Sequence, residues 1–503
     1  MGHRAGVSYR GGLEPVMRLR PYVTLDTQET AMSFAGRLAA IHTGQPLHWM
    51  LADMRINGEA FTLGRPEAIS RFAAIAGIDE ADLLRVTMRG IRKGMEFRGE
   101  QFHSGSLSRA ADKYCPACLA EDGEHRNWRQ RLIWCVAAAH RCPRHGIWLQ
   151  RSEKPARTLQ EATGIIPASV SHTVSDPVPC YLQWLEARLQ NVPERDSWLD
   201  EQGLEQVLDA SLLLGVVMRE GHKIAPNRLS VLRHEAALEE GFRVYSQGPE
   251  ALVAALDRIR EASPAQAAQA GPLAKYGKLY EWMNRQWQTR DPGPLLGILR
   301  DHIIEHDVLE AGTKVLGEEL KYRRFHSVQS LGEALGHKTS SMARMLKKIG
   351  HIPHDASMDD CGLIRFDARE IAQLVQDFKT GIPLADLDEY IGASFSQARA
   401  LYRDGVLKPV VPAGSPGAIR HVVFSRRSLD AFLAQLAALP DSESAGQIDL
   451  HPVGAICQRK IGTTSDVVRA LLANELPAFR CPDGDGLASV LLPLKEVTAI
   501  RAG

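Results

Sequence analysis

The sequence predicts a mainly α, multidomain protein, and three observations predict it. At 503 residues the chain exceeds one ordinary domain. Apolar residues recur at helical spacing through most of its length. Three C-terminal segments repeat one order of helix, glycine turn, helix, strand and helix.

Residues 1–20 are rich in Gly and Arg and are expected to form a flexible tail, without the apolar core of a signal peptide. No apolar run reaches spanning length, so a cytoplasmic protein with no membrane partner is expected, and a disulfide framework is not. Residues 21–95 are expected to be a helical, helix-turn-helix-like domain. ETAMSFAGRLAAIHTG puts Met32, Ala35, Leu38 and Ala39 near one stripe and stops at Gly44. In RPEAISRFAAIAGIDEADLLRVTM, Pro66 suits a first helical turn, and Gly77-Ile78-Asp79 separates two helices. Residues 156–312 form a helical middle region in which Tyr276, Leu279, Tyr280, Met283 and Trp287 share a face, read as packing.

Residues 114–149 read YCPACLAEDGEHRNWRQRLIWCVAAAHRCPRHGIWL and hold four of the eight cysteines. Cys115/Cys118 and Cys142/His145 form two knuckles, and zinc takes four tetrahedral ligands from such thiolate and imidazole donors. A redox pair would leave the second knuckle unexplained, and scattered buried thiols would not fall into matched pairs. One structural Zn2+ held by Cys115, Cys118, Cys142 and His145 is expected, in a zinc-ribbon segment over residues 96–155. WRQRLIWCVAAAH is expected to bring the knuckles together as strand or helix. Cys135, His125 and His140 are substitute ligands, though Cys135 reads better as a small apolar residue. Arg126, Arg129, Arg131, Arg141 and Arg144 are expected to leave a basic surface.

The repeats begin SLGEALGHKTSSMARMLKKIGHI (330–352), DLDEYIGASFSQARALYRDGVL (386–407) and GAICQRKIGTTSDVVRALLANEL (454–476). LIRF, IRHVVF and ASVLL follow as strands, with helix starts at Asp367, Ser425 and Pro493. Three tandem winged-helix modules are expected, over 313–380, 381–442 and 443–503. In such modules the second helix meets base edges in the major groove of double-stranded DNA. The candidates are Ser340, Ser341 and Arg344, then Ser396, Gln397 and Arg399, then Thr464, Ser465 and Arg469. Lys347, Lys348, Arg403, Arg420 and Arg426 are expected to meet phosphates. The third repeat is poorer in bases, and contact with a protein is the alternative for it. Net charge is zero, yet residues 321–351 hold 7 Lys/Arg against 1 acid, so a basic face is hidden in the total.

Catalytic signatures are missing from the sequence: there is no His-Glu-x-x-His helix and no Gly-x-Ser-x-Gly elbow. GEALGHKT mimics a phosphate loop, but His337 interrupts its Gly-Lys pair. A non-enzyme is expected.

Glu29, Ser33 and Arg37 in ETAMSFAGRLA, the two-helix segment after Pro66, and YCPACLAEDG followed by CPRHGIWL resemble the TniQ family of transposition target-selection proteins. The resemblance covers roughly residues 18–150 and continues loosely through YGKLYEWMN and FHSVQSLGEALG. The Ala-rich VAAAH departs from it and puts a strand there in doubt. It implies a chain that selects insertion sites for a Tn-type element, recruits an AAA+ ATPase and so serves the transposase indirectly. Docking on an RNA-guided complex, homodimerisation and a winged-helix transcriptional regulator stay open as alternatives, as does a nuclease with scattered carboxylates.

Overall fold

The computed structural model describes residues 19–168, 177–190, 198–286, 291–411, 422–459 and 461–500. The expected tail up to residue 18, Trp287 and Arg420 lie outside them. Helices hold several times as many of these residues as strands do, and the sheets have two or three strands each. Among the described residues no helix is long and apolar enough to cross a membrane. The chain divides into two compact units, residues 1–264 with 272–302, and residues 265–271 with 303–503.

The first unit opens on the helix Ala31–His42, whose N-cap Thr30 accepts from the Ser33 amide. Pro66 starts the helix Pro66–Ala76, and Gly77 ends it at φ 74°, a conformation that suits glycine. Asp79 then caps Glu80–Arg85. Phe34, Leu38, Leu51, Phe61, Ile69, Phe72 and Leu83 fill one core between these helices. An antiparallel meander of Arg89–Ile91, Gly94–Phe97 and Glu100–His103 follows. Ala111–Tyr114 pairs with Gln150–Ala156, so the two ends of the cysteine segment are tied together.

Beyond it, the helices Leu204–Glu220 and Val231–Tyr245 cross at Gly215 and Gly241. A methyl built on Gly215 would lie 1.8 Å from the Ala237 carbonyl oxygen, and one on Gly241 would lie 1.8 Å from that of Ser211. Neither backbone can yield without parting the helices. Gly241→Ala is therefore expected to cost at least the 1–3 kcal/mol typical of overpacking, about, read as a lower denaturant midpoint. An unchanged midpoint would show that the crossing is looser than this. Tyr276, Leu279 and Met283 are fully buried in the same unit, as packing residues should be.

In the second unit each repeat starts with a strand that sequence periodicity did not reveal. Phe325–Ser327 pairs with Arg365–Asp367, Ile382–Pro383 with Val423–Phe424, and Leu450–Pro452 with Val490–Pro493, all antiparallel. Among the described residues, a helix pair lies between the paired strands of each repeat: Val328–Ala334 and Thr339–Lys348, Leu387–Ile391 and Phe395–Arg403, Val453–Gln458 and Thr464–Leu472. A helix follows each second strand: Ala372–Lys379, Arg426–Ala437 and Leu494–Ile500. LIRF begins inside a short helix, Met358–Leu363, and the strand starts two residues later than expected. The first repeat packs a core around Val328, Leu331, Met342 and Leu346, which Val411 from the second repeat's span joins. The second and third share one, in which Leu387, Ile391 and Leu401 join Ile456, Val468 and Leu492.

Candidate metal centre and nucleic-acid interface

Cys115 ends the strand Ala111–Tyr114 and caps the helix Pro116–Asp122, its sulfur accepting from the Cys118 amide at 3.5 Å. Pro116 fixes the first helical turn, which points both sulfurs the same way. The second knuckle turns at Cys142, whose carbonyl accepts from the Gly146 amide at 2.7 Å. The structure brings all four expected ligands together. Cys115 Sγ, Cys118 Sγ, Cys142 Sγ and His145 Nδ1 lie within 4.8 Å of one another. Cys118 Sγ is 3.7 Å from Cys142 Sγ, and the three sulfurs lie 3.5, 3.3 and 3.6 Å from His145 Nδ1. A tetrahedron with zinc bond lengths has edges of about 3.8 Å between sulfurs and about 3.6 Å from sulfur to nitrogen. The donor set fits one such ion.

Hydrogen bonds to the Cys115 and Cys142 sulfurs, with burial, push the Cys118 thiol far above its ordinary range, while hydrogen bonds with Cys115 and Cys118 hold the Cys142 thiol well below it. His145 turns its other nitrogen to Glu121 Oε1 at 3.1 Å, which fixes the ring so that Nδ1 faces the sulfurs. Glu121 was not singled out in the sequence. Its place three residues after Cys118 on the knuckle's own helix is the signal that marks it.

The segment between the knuckles is neither strand nor long helix but two 3-10 turns, His125–Asn127 and Leu132–Cys135, with Trp134 fully buried. Cys135 is buried away from the cluster, and burial lifts its thiol to about 12. His140 faces His234 instead, 3.2 Å between ring nitrogens, and burial pushes it down to about 3. The expected basic surface is a correction. Arg129 and Arg131 both pair with the buried Asp122 and with Asp26, Arg141 pairs with the buried Glu235, and Arg126 and Arg144 pair with Glu124 and Glu121. Desolvated charges need partners, and Arg129, Arg131 and Arg141 hold the segment together instead of facing outward, while Arg126 and Arg144 stay more than half exposed beside their acids.

The same segment is docked on the opening helix. Glu29 is fully buried and accepts from Ser33 Oγ and Arg37 Nε, each at 3.0 Å, while Arg37 Nη2 also donates to the Thr24 carbonyl. Ser33 Oγ accepts from the Gln130 amide at 2.8 Å, and the Thr30 amide donates to the Gln130 carbonyl. Burial pushes the Glu29 carboxyl up, against the pull of Arg37.

Among the candidate DNA contacts, Ser340, Arg344, Ser396 and Arg399 are exposed on their helices, as are Arg403 and Arg426. Arg344 Nε donates to the Ser340 carbonyl at 3.1 Å, and Arg403 Nε pairs with Asp404 at 3.0 Å. Arg426 stacks 5.5 Å from the centre of the Tyr390 ring. Ser341 is half-buried. Several others are committed inside the fold. Gln397 accepts from the Ser394 amide at 2.9 Å and so caps its own helix. Lys347 donates to the Ala356 carbonyl, and Lys348 Nζ is buried. The third repeat is corrected most. Thr464 and Ser465 are buried, Ser465 Oγ donates to Asp404 Oδ2 at 2.7 Å, and Arg469 donates to the Asp404 carbonyl. That helix start is packed against the second repeat, with Asp466 and Arg469 left exposed beside it. GEALGHKT spans the turn between Val328–Ala334 and Thr339–Lys348, which accounts for its glycine and threonine.

Fold and cluster together define a mainly helical, multidomain chain organised around a buried Cys3His centre. Residues 21–149, which contain that centre, match the TniQ family, and the chain carries a TniQ region over that quarter of its length. No curated protein matches the chain.

Proposed function

We propose that this chain is a zinc-containing, non-enzymatic target selector that binds double-stranded DNA through winged-helix modules of its second unit and recruits an AAA+ ATPase of a transposition system. Cys115, Cys118, Cys142 and His145 would hold one zinc ion. Four protein ligands leave no open position, so the ion would supply a cross-link and no Lewis-acid chemistry. The observation that carries the reading is the coexistence, in a chain with a TniQ region, of two helices whose outer faces present Ser340 with Arg344 and Ser396 with Arg399. Each stands second in a helix pair, where a helix-turn-helix presents its base-reading side chains.

The test is selection of the purified chain against sheared genomic DNA at near-physiological salt, where purely electrostatic binding fades. One enriched sequence is expected. Arg344→Ala and Arg399→Ala should each cost about 1–3 kcal/mol of discrimination at a single position. Uniform retention that weakens with salt, unchanged by either substitution, would defeat the direct reading and leave site choice to a partner.

A further inference from the structure

Phe395 is the first residue of the nine-residue helix Phe395–Arg403, and its side chain is 56 % exposed. The buried side of that helix is carried by Ala398 and Leu401. Phe395, Arg399 and Arg403 follow one another at four-residue steps and so share the opposite side. Arg399 lies with its guanidinium carbon 4.5 Å from the centre of the Phe395 ring. The corresponding first residues of the other two helices are Thr339 and Thr464. An aromatic ring left in water forgoes the stabilisation that burial would give it, and a serine or alanine would serve the helix as well. The ring is therefore free to meet a partner.

The surroundings choose among partners. Arg403 is paired with Asp404, and Arg399 makes the exposed stripe cationic, which suits a polyanion. Arg399 already covers one face of the ring, so an unpaired base stacking there would have to displace it. The ring edge remains for a small apolar group. In the major groove the only apolar group on a base edge is the 5-methyl of thymine, while arginine pairs with the O6 and N7 of guanine. Stacking on Phe395 also holds the guanidinium plane in place before any DNA arrives.

We propose, resting on the reading above that this helix enters the major groove, that the second repeat recognises a thymine through its methyl group, received by Phe395, beside a guanine paired by Arg399. The full chain is first used to select duplexes from a random-sequence pool. The enriched duplex is then resynthesised with deoxyuridine at each thymine in turn, which removes the methyl and keeps the pairing. One position is expected to lose about fourfold in affinity, the worth of one buried methyl. Phe395→Ala should bind the thymine and uracil duplexes equally, and Arg399→Ala should lose the neighbouring guanine while still preferring thymine. An enriched site that depends on Arg399 but tolerates uracil everywhere overturns the thymine proposal and leaves the helix as a DNA reader. So does a Phe395→Ala protein that still discriminates. An enriched site indifferent to Arg399, or no enriched site, overturns both.

Discussion

Chelation of the metal, or Cys118→Ser, is expected to destabilise the first unit by several kcal/mol, because the ligands are brought together only in the fold. Three sulfurs and an imidazole are buried within 4.8 Å of one another, and without a cation their lone pairs are desolvated against each other. The loss should spread past the knuckles. The amide of Leu132 donates to the Gln28 carbonyl at 2.8 Å and that of Gln130 to Ser33, so a loosened segment releases the opening helix as well. Elemental analysis should find one zinc per chain, lost in Cys118→Ser and retained in Cys135→Ala, whose sulfur lies outside the cluster. Thermal unfolding with and without chelator measures the rest. The second unit has its own apolar cores and should keep its transition. A metal-free protein with an unshifted first transition would refute the staple.

What was legible in the sequence was local chemistry. Two-residue ligand spacing, Pro66 at a helix start and Gly77 at a helix end state their roles within a few neighbours. The undetected features depend on distance along the chain. Arg129 reads as a surface cation until Asp26 is placed beside it, 103 residues away. Thr464 and Ser465 read as an ordinary polar helix start, and only the shared core of the second and third repeats buries them. The strands Ile382–Pro383 and Leu450–Pro452 are too short to carry a period of two, so their pairing, not their pattern, defines them. Lys347 was misread for a related reason: its long side chain turns back to a backbone carbonyl nine residues on.

Arg37→Ala should be among the most damaging single substitutions in the chain. It strands the fully buried Glu29 carboxylate, and removing one partner of a buried pair costs about 3–5 kcal/mol. Arg37→Lys should recover only part of this, since a single ammonium cannot reach both Glu29 oxygens and the Thr24 carbonyl as the planar fork does. Arg37→Met with Glu29→Leu should restore most of the loss, because no charge is then buried unpaired. The pH dependence separates this account from a packing defect. Burial already pushes Glu29 upward, and without Arg37 only the Ser33 hydroxyl and the Asp26 amide pull against it. A carboxyl whose folded value lies above its unfolded one, about 4.3, favours folding while protonated and loses that contribution as pH rises through the folded value. The Arg37→Ala deficit should accordingly be small near pH 4 and reach its full size above the raised value. Denaturant titrations of wild type and variant at a series of pH values decide it: a deficit that stays constant with pH would mean that Arg37 contributes packing and not charge.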